Sequence, residues 1–159
     1  MAIVTLPTFP VTGGCACGAV RYELTKPPLA LFACHCRDCQ KMTAAAYSLA
    51  MPIAVDALTI TRGEPKNWLR TAGSARRIPQ YFCGDCGSRL YTAPPGPTPT
   101  LTLRPGTLDD TSWLVPAAAF WRRSAQPHVV FDPEMLVYDT QPDDFMPVVR
   151  AWRASLAPA

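Results

Sequence analysis

The chain has 159 residues and a formal charge of +3, with charged residues making up 17% of it. That length suits one domain, 1–159, able to bury a real core, and the charges are scattered, with no polybasic block to suggest a nucleic-acid partner. No run of about 18 apolar residues is present, so no membrane-spanning helix is expected.

In chain order, Met1 to Gly14 lacks the basic start and apolar segment of a secretory signal, which points to a cytoplasmic protein. Cys15-Ala16-Cys17-Gly18 follows, and then Val20–Leu24, whose apolar and polar residues alternate as in a half-buried strand. Leu29–Ala33 is a short apolar run leading into Cys34-His35-Cys36-Arg37-Asp38-Cys39. A turn or two of helix is expected over Asp38–Ala45. Strands are expected over Ala46–Ile53, Leu58–Arg62, Trp68–Thr71, Arg77–Phe82, Ser88–Thr92 and Thr100–Arg104, with turns at Gly73 and at Pro94-Pro95-Gly96-Pro97. Pro127-His128-Val129-Val130-Phe131 reads as a further strand. In the tail, Phe145–Leu156 places Val148, Val149, Trp152 and Leu156 on one helical stripe. Eighteen prolines and nine glycines exclude long helices elsewhere. The fold class expected is therefore mainly β: a compact, β-sandwich-like domain of short antiparallel strands with minimal helix, stapled by the cysteines as argued next.

Seven cysteines without a secretion signal favour metal over disulfides, and the odd count agrees. Cys34, Cys36 and Cys39 lie within six residues, too close for ordinary disulfide geometry. One tight turn can instead aim three sulfurs at a zinc ion, leaving one tetrahedral corner open. The other four fall into two pairs, Cys15 with Cys17 and Cys83 with Cys86, each followed by glycine (Gly18, Gly87). Glycine permits the positive φ that a metal knuckle needs. Two such knuckles complete a closed four-thiolate zinc site tying distant parts of the chain. A pair of thioredoxin-like redox motifs is the rival reading, but no βαβ pattern surrounds Cys83. Loading both sites replaces seven thiol protons by two divalent ions and returns the charge to zero, which weakens nucleic-acid binding further.

Other residues carry less. His35 sits between two ligands, and its side chain is expected to point away from the ion. Packing is its default role and a substrate contact its functional one, so it joins Cys34, Cys36 and Cys39 as a candidate catalytic residue. His128 is expected to be a satisfied structural histidine and Asp38 a solvated turn residue rather than an acid/base group. Trp113, Phe120 and Trp121 are expected in the core, and Arg122-Arg123 as a solvated pair. Arg37, Lys41, Arg76, Arg77, Arg122 and Arg123 are candidates for a carboxylate-bearing ligand. Twelve of the fifteen cationic residues are arginine, whose planar fork suits such ligands.

Three motifs carry a family resemblance: Gly14-Cys15-Ala16-Cys17-Gly18-Ala19-Val20-Arg21-Tyr22, Cys34-His35-Cys36-Arg37-Asp38-Cys39-Gln40-Lys41 and Phe82-Cys83-Gly84-Asp85-Cys86-Gly87-Ser88-Arg89-Leu90. Over roughly residues 10 to 140 the chain resembles the glutathione-dependent formaldehyde-activating family, whose domain centromere protein V also carries. Pro105-Gly106-Thr107-Leu108-Asp109 resembles a further signature of it. The resemblance implies a mainly β fold, a structural zinc at Cys15, Cys17, Cys83 and Cys86, and a second zinc at Cys34, Cys36 and Cys39 near a substrate groove. It also implies a carbon–sulfur lyase type of reaction, joining formaldehyde to the glutathione thiol to give S-hydroxymethylglutathione.

The leading expectation is thus a zinc-dependent enzyme acting on a small thiol or aldehyde, with no nucleic-acid or membrane partner. The alternative is a binding module in which both zinc ions are structural. The oligomeric state stays open, a homodimer included.

Overall fold

The computed structural model describes residues 3–72, 75–94 and 96–158. The protein is mainly β, with eleven strands and two α-helices among the described residues. In chain order these are β1 (Val11–Gly14), β2 (Arg21–Leu24), β3 (Phe32–Cys34), α1 (Arg37–Thr43), β4 (Ser48–Ala54) and β5 (Leu58–Arg62). They continue with β6 (Lys66–Thr71), β7 (Arg77–Phe82), β8 (Arg89–Thr92), β9 (Thr100–Leu103), β10 (Ala118–Phe120), β11 (Leu136–Val137) and α2 (Met146–Ser155). The chain divides into two compact units, each closing around its own elements.

One unit comprises Met1–Leu6, Leu29–Ala50 and Trp113–Ala159. Here β10 pairs in parallel with both β3 and β11, and β3 pairs antiparallel with the start of β4, Cys34 opposite Ser48. The expectation of antiparallel strands therefore does not extend to β10. Its three residues are all buried and offer no alternation from which a direction could be read. Phe32 stacks on Phe120 at 4.2 Å between ring centres. In α2 the Met146 amide donates to Asp144 Oδ1 at 2.9 Å, and Pro147 stands in the first turn, where its missing N–H costs nothing. Val148, Val149, Trp152 and Ser155 form the buried stripe, and Leu156 lies half-buried just beyond it.

The other unit comprises Pro7–Pro28 and Met51–Ser112, and its pairings are all antiparallel. β2 lies between β1 and β5. A second ladder runs from the end of β4 through β9, β8 and β7 to β6. Tyr22 and Leu24 on β2, Ile53 on β4, Leu90 on β8 and Leu103 on β9 are almost wholly buried. Along β2, β8 and β9 the buried residues alternate, Tyr22 with Leu24, Leu90 with Thr92 and Leu101 with Leu103, the period that shows one face is core.

The strand expected at Pro127–Phe131 is absent. Pro127 and His128 form a turn, closed by the Val129 amide donating to the Gln126 carbonyl at 3.0 Å, and His128 is exposed, not a satisfied structural residue. Trp113 and Phe120 are buried as expected, whereas Trp121 is only half-buried, with the Arg123 guanidinium 4.9 Å from its ring centre. The turn expected at Gly73 lies outside the described residues, as does Pro95. No helix among the described residues is long and apolar enough to cross a membrane.

Candidate metal centres

None of the seven cysteines is in a disulfide, and they gather into the two groups that the spacing separates. Within each group the sulfurs lie within 4.8 Å of one another.

Cys15, Cys17, Cys83 and Cys86 stand on two turns built alike. The Cys15 amide donates to the Val20 carbonyl at 3.0 Å and the Gly18 amide to the Cys15 carbonyl at 3.0 Å. In the second turn Cys83 donates to Ser88 at 2.9 Å and Gly87 to Cys83 at 2.9 Å. Gly18 and Gly87 both have φ of +75°, the left-handed conformation a side chain disfavours. The Val20 amide reaches Cys15 Sγ at 3.2 Å, and the Ala16 amide reaches Ser88 Oγ at 3.0 Å, so Ser88 stitches one knuckle to the other.

The thiols do not ionise alike. Its contacts with the Ser88 hydroxyl and amide bring Cys86 down to about 5. The Ala19 amide favours the Cys17 thiolate, yet the sulfurs of Cys15 and Cys86 outweigh it and push that thiol up to about 12. Sulfurs packed this closely repel as thiolates unless a cation sits among them, which is the donor chemistry of a soft divalent metal.

A buttress stands beside this centre. Both terminal nitrogens of the Arg21 guanidinium donate to Asp109, with Nη1 at 3.0 Å from Oδ1, and the Thr12 hydroxyl donates to Oδ2 at 2.6 Å. Thr107 meets the buried Tyr22 hydroxyl at 2.7 Å. The Pro105–Asp109 motif therefore acts by fixing the strands that carry the first knuckle. Arg21 first and Thr12 next hold the Asp109 carboxyl below its usual value. Such a pair stabilises the fold above the unfolded carboxylate value of about 4, and its contribution is lost as the pH falls through the lowered folded value. The pair is partly exposed, so Asp109→Asn is expected to cost no more than about 1 kcal/mol at neutral pH. The gap to the parent protein should close on acidification below about pH 4, read as the difference between the two denaturation midpoints, in which acid losses common to both cancel.

In the other unit, Cys34 ends β3, Cys36 caps α1 and Cys39 lies in its first turn. Cys36 has extended backbone, and its Sγ accepts from the Cys39 amide at 3.4 Å, as an N-cap side chain should. Cys34 and Cys39 are buried and Cys36 is half-buried. Crowding by Cys36 and Cys39, more than burial, drives the Cys34 thiol far above its usual value. Among the described residues no histidine, aspartate or glutamate joins these sulfurs as a fourth donor.

Gln40, which sequence reasoning passed over, holds this loop. Its Nε2 donates to the carbonyls of His35 at 2.6 Å and Ser124 at 2.7 Å, while its Oε1 accepts from Arg37 at 2.8 Å and Gln126 at 3.4 Å. Only tertiary proximity to Ser124 reveals that role. Gln40→Leu is expected to weaken metal at Cys34, Cys36 and Cys39 by about 10–100-fold, the usual penalty for losing a residue that orients ligands. Metal at the four-cysteine group should be unchanged in the same sample, measured by competition with a chromogenic chelator.

His35 is 2% exposed and lies between Tyr47, at 5.1 Å, and Phe131, at 5.2 Å between ring centres. Burial holds its imidazole below the usual value, against the opposing Ala46 backbone, and its Nδ1 has no partner among the described residues. Asp38 is exposed in the first turn of α1, where its charge suits the helix dipole. Of the carboxylate candidates, Arg122 pairs with Asp139 at 2.7 Å, Lys41 is exposed on α1, and Arg76 and Arg77 belong to the other unit.

Residues 10–124 match the family described as glutathione-dependent formaldehyde-activating enzyme, well over half of the chain. The chain belongs to that family. The matched span takes in every cysteine of both groups and the Asp109 buttress, and it ends sooner than the motifs alone suggested. No curated protein matches this family member. A crystal structure of a Rhodobacter sphaeroides protein is similar over 80% of this chain and 98% of its own, at 17% identity and a TM-score of 0.49. That likeness is too loose to carry an argument.

Proposed function

We propose that both groups bind zinc, and that the one at Cys34, Cys36 and Cys39 is the active centre of an enzyme that adds a small thiol to an aldehyde or reverses that addition. The observation that carries this reading is that, among the described residues, no fourth donor joins the three sulfurs: four sulfurs close a structural site, whereas three leave a corner for a ligand from solution. When bound there, zinc supplies Lewis acidity, weakened by three thiolates, and so favours holding a substrate thiol as thiolate over activating a carbonyl.

The chain's own residues would do the rest. Cys36, the least buried of the three, marks the open side. Gln40 keeps the loop in register. His35, buried between Tyr47 and Phe131 with its Nδ1 unpartnered among the described residues, is the candidate proton-handling or positioning group. In the addition, a sulfur lone pair forms the C–S bond while the carbonyl π pair moves to oxygen, which takes the proton leaving the thiol. The lyase direction runs these movements backwards. Family membership supports glutathione as the thiol and formaldehyde as the aldehyde. Seven cysteines kept as ligands need a reducing compartment, which supports a cytoplasmic setting.

Metal analysis with calorimetric titration tests this. Heat on adding glutathione or another small thiol is expected only in protein carrying metal at the three-cysteine centre. The absence of heat with every thiol tried would replace the enzyme by a zinc-stabilised binding module.

A further inference from the structure

One end of β6 packs by the second knuckle, where Lys66 lies against Gly84, but the outer edge of the strand belongs to neither cysteine group. β6 pairs with β7 on one side, and among the described residues no strand covers its other side. Every residue of β6 is exposed except Arg70, with Trp68 at 50% and Leu69 at 42%. An uncovered edge strand with two large apolar residues at its centre is the kind that pairs with another strand unless charge or proline prevents it.

The backbone shows which groups are on offer. The Ala72 amide donates to the Arg76 carbonyl at 2.8 Å, continuing the register in which Thr71 faces Arg77. Backbone groups point to alternate sides along a strand, so Arg70, Trp68 and Lys66 aim theirs at β7, whereas Thr71, Leu69 and Asn67 aim theirs outward. Pro79 agrees: it faces Leu69, a position where its missing N–H removes no ladder bond.

We infer that β6 is the interface of a homodimer, pairing antiparallel with β6 of a second copy about a two-fold axis at Leu69. Outward-facing residues must meet outward-facing residues, which leaves few registers. With Leu69 opposite the partner's Leu69, Asn67 meets the partner's Thr71, and each facing pair exchanges both of its backbone bonds. On the other face this register sets Trp68 beside the partner's Arg70, a cation–π pair formed twice, and Lys66 beside the partner's Ala72. Sliding the axis to Trp68 sets Lys66 against the partner's Arg70 and Thr71 against the partner's Pro65, which has no N–H. Sliding it to Arg70 opposes two like charges on the axis. Charge and backbone thus select the same register.

Sedimentation of the full-length, metal-loaded protein tests this. A dimer is expected for the parent chain. Leu69→Lys puts two cations on the axis without touching any bond within the β6–β7 hairpin, and it should give a monomer with unchanged circular dichroism and metal content. Trp68→Ala should weaken the dimer roughly tenfold, because two cation–π contacts go at once. Val55→Lys, at an exposed apolar residue elsewhere, should leave it intact. A parent chain that is monomeric at every concentration overturns the inference. So does a dimer that survives both Leu69→Lys and Trp68→Ala.

Discussion

A Cys86→Ser protein is expected to lose the metal of its four-cysteine site and, with it, the cooperative melt. The argument rests on the position of Cys86. Its side chain is exposed, and a conservative change at such a place ordinarily shifts stability by no more than about 0.5 kcal/mol. Serine keeps the shape but is not a soft ligand, so a large effect can come only through the ion. Structural zinc in small knuckled domains carries about 10–16 kcal/mol of apparent binding energy, as much as or more than the whole stability of an ordinary domain, about 5–15 kcal/mol. What would remain between the two knuckles is thin: the Ala16 amide on Ser88, and the strands fixed by the Arg21–Asp109 pair. Calorimetry should therefore show a broad, non-cooperative transition or insoluble protein, and the same change should follow when a strong chelator strips the parent protein. A Cys86→Ser protein that melts as sharply and as high as the parent would remove the structural role assigned to this centre.

Much of this was legible in the sequence, for reasons that differ from element to element. Leu58–Arg62 and Arg77–Phe82 match the observed β5 and β7 end to end: β5 is a β-forming run stopped by Gly63, and β7 tolerates Pro79 because it faces Leu69, where the missing N–H removes no bond to β6. β10 was missed because Ala118, Ala119 and Phe120 are all buried and three residues give no period. β1 ends in two glycines, and β11 is only two residues long. The apolar run at Val129-Val130-Phe131 misled in the opposite sense: Val130 is 92% exposed, and the turn at Pro127 governs the segment. The grouping of the seven thiols was readable because knuckle geometry is local, with glycine marking each left-handed turn. Gln40, Ser88 and the aromatic walls of His35 were not, since each acts on a partner far along the chain that only folding brings near.

The sharpest separation between the two centres is expected from Cys36→Ser, which should abolish thiol binding while leaving the fold intact. Cys36 does two things at once. Its sulfur belongs to the three-cysteine group, and the same atom accepts the Cys39 amide as the N-cap of α1. Serine is among the best N-cap residues, so the substitution keeps the capping and removes only the ligand. With two sulfurs left the metal at this centre should be lost, and the heat of glutathione binding and any thiol–aldehyde addition should fall more than a hundredfold, on the order of the loss for a missing element of a catalytic site. The melting transition should stay cooperative, within about 1 kcal/mol of the parent, because the four-cysteine centre is untouched. Cys36→Ala supplies the contrast: it loses ligand and cap together and should lie about 1 kcal/mol below Cys36→Ser in stability while being equally silent toward thiols. A Cys36→Ser protein that collapses as Cys86→Ser does would make the three-cysteine centre structural. One that still takes up glutathione at full affinity would move the thiol site elsewhere, and in either case the catalytic reading of Cys34, Cys36 and Cys39 would have to be given up.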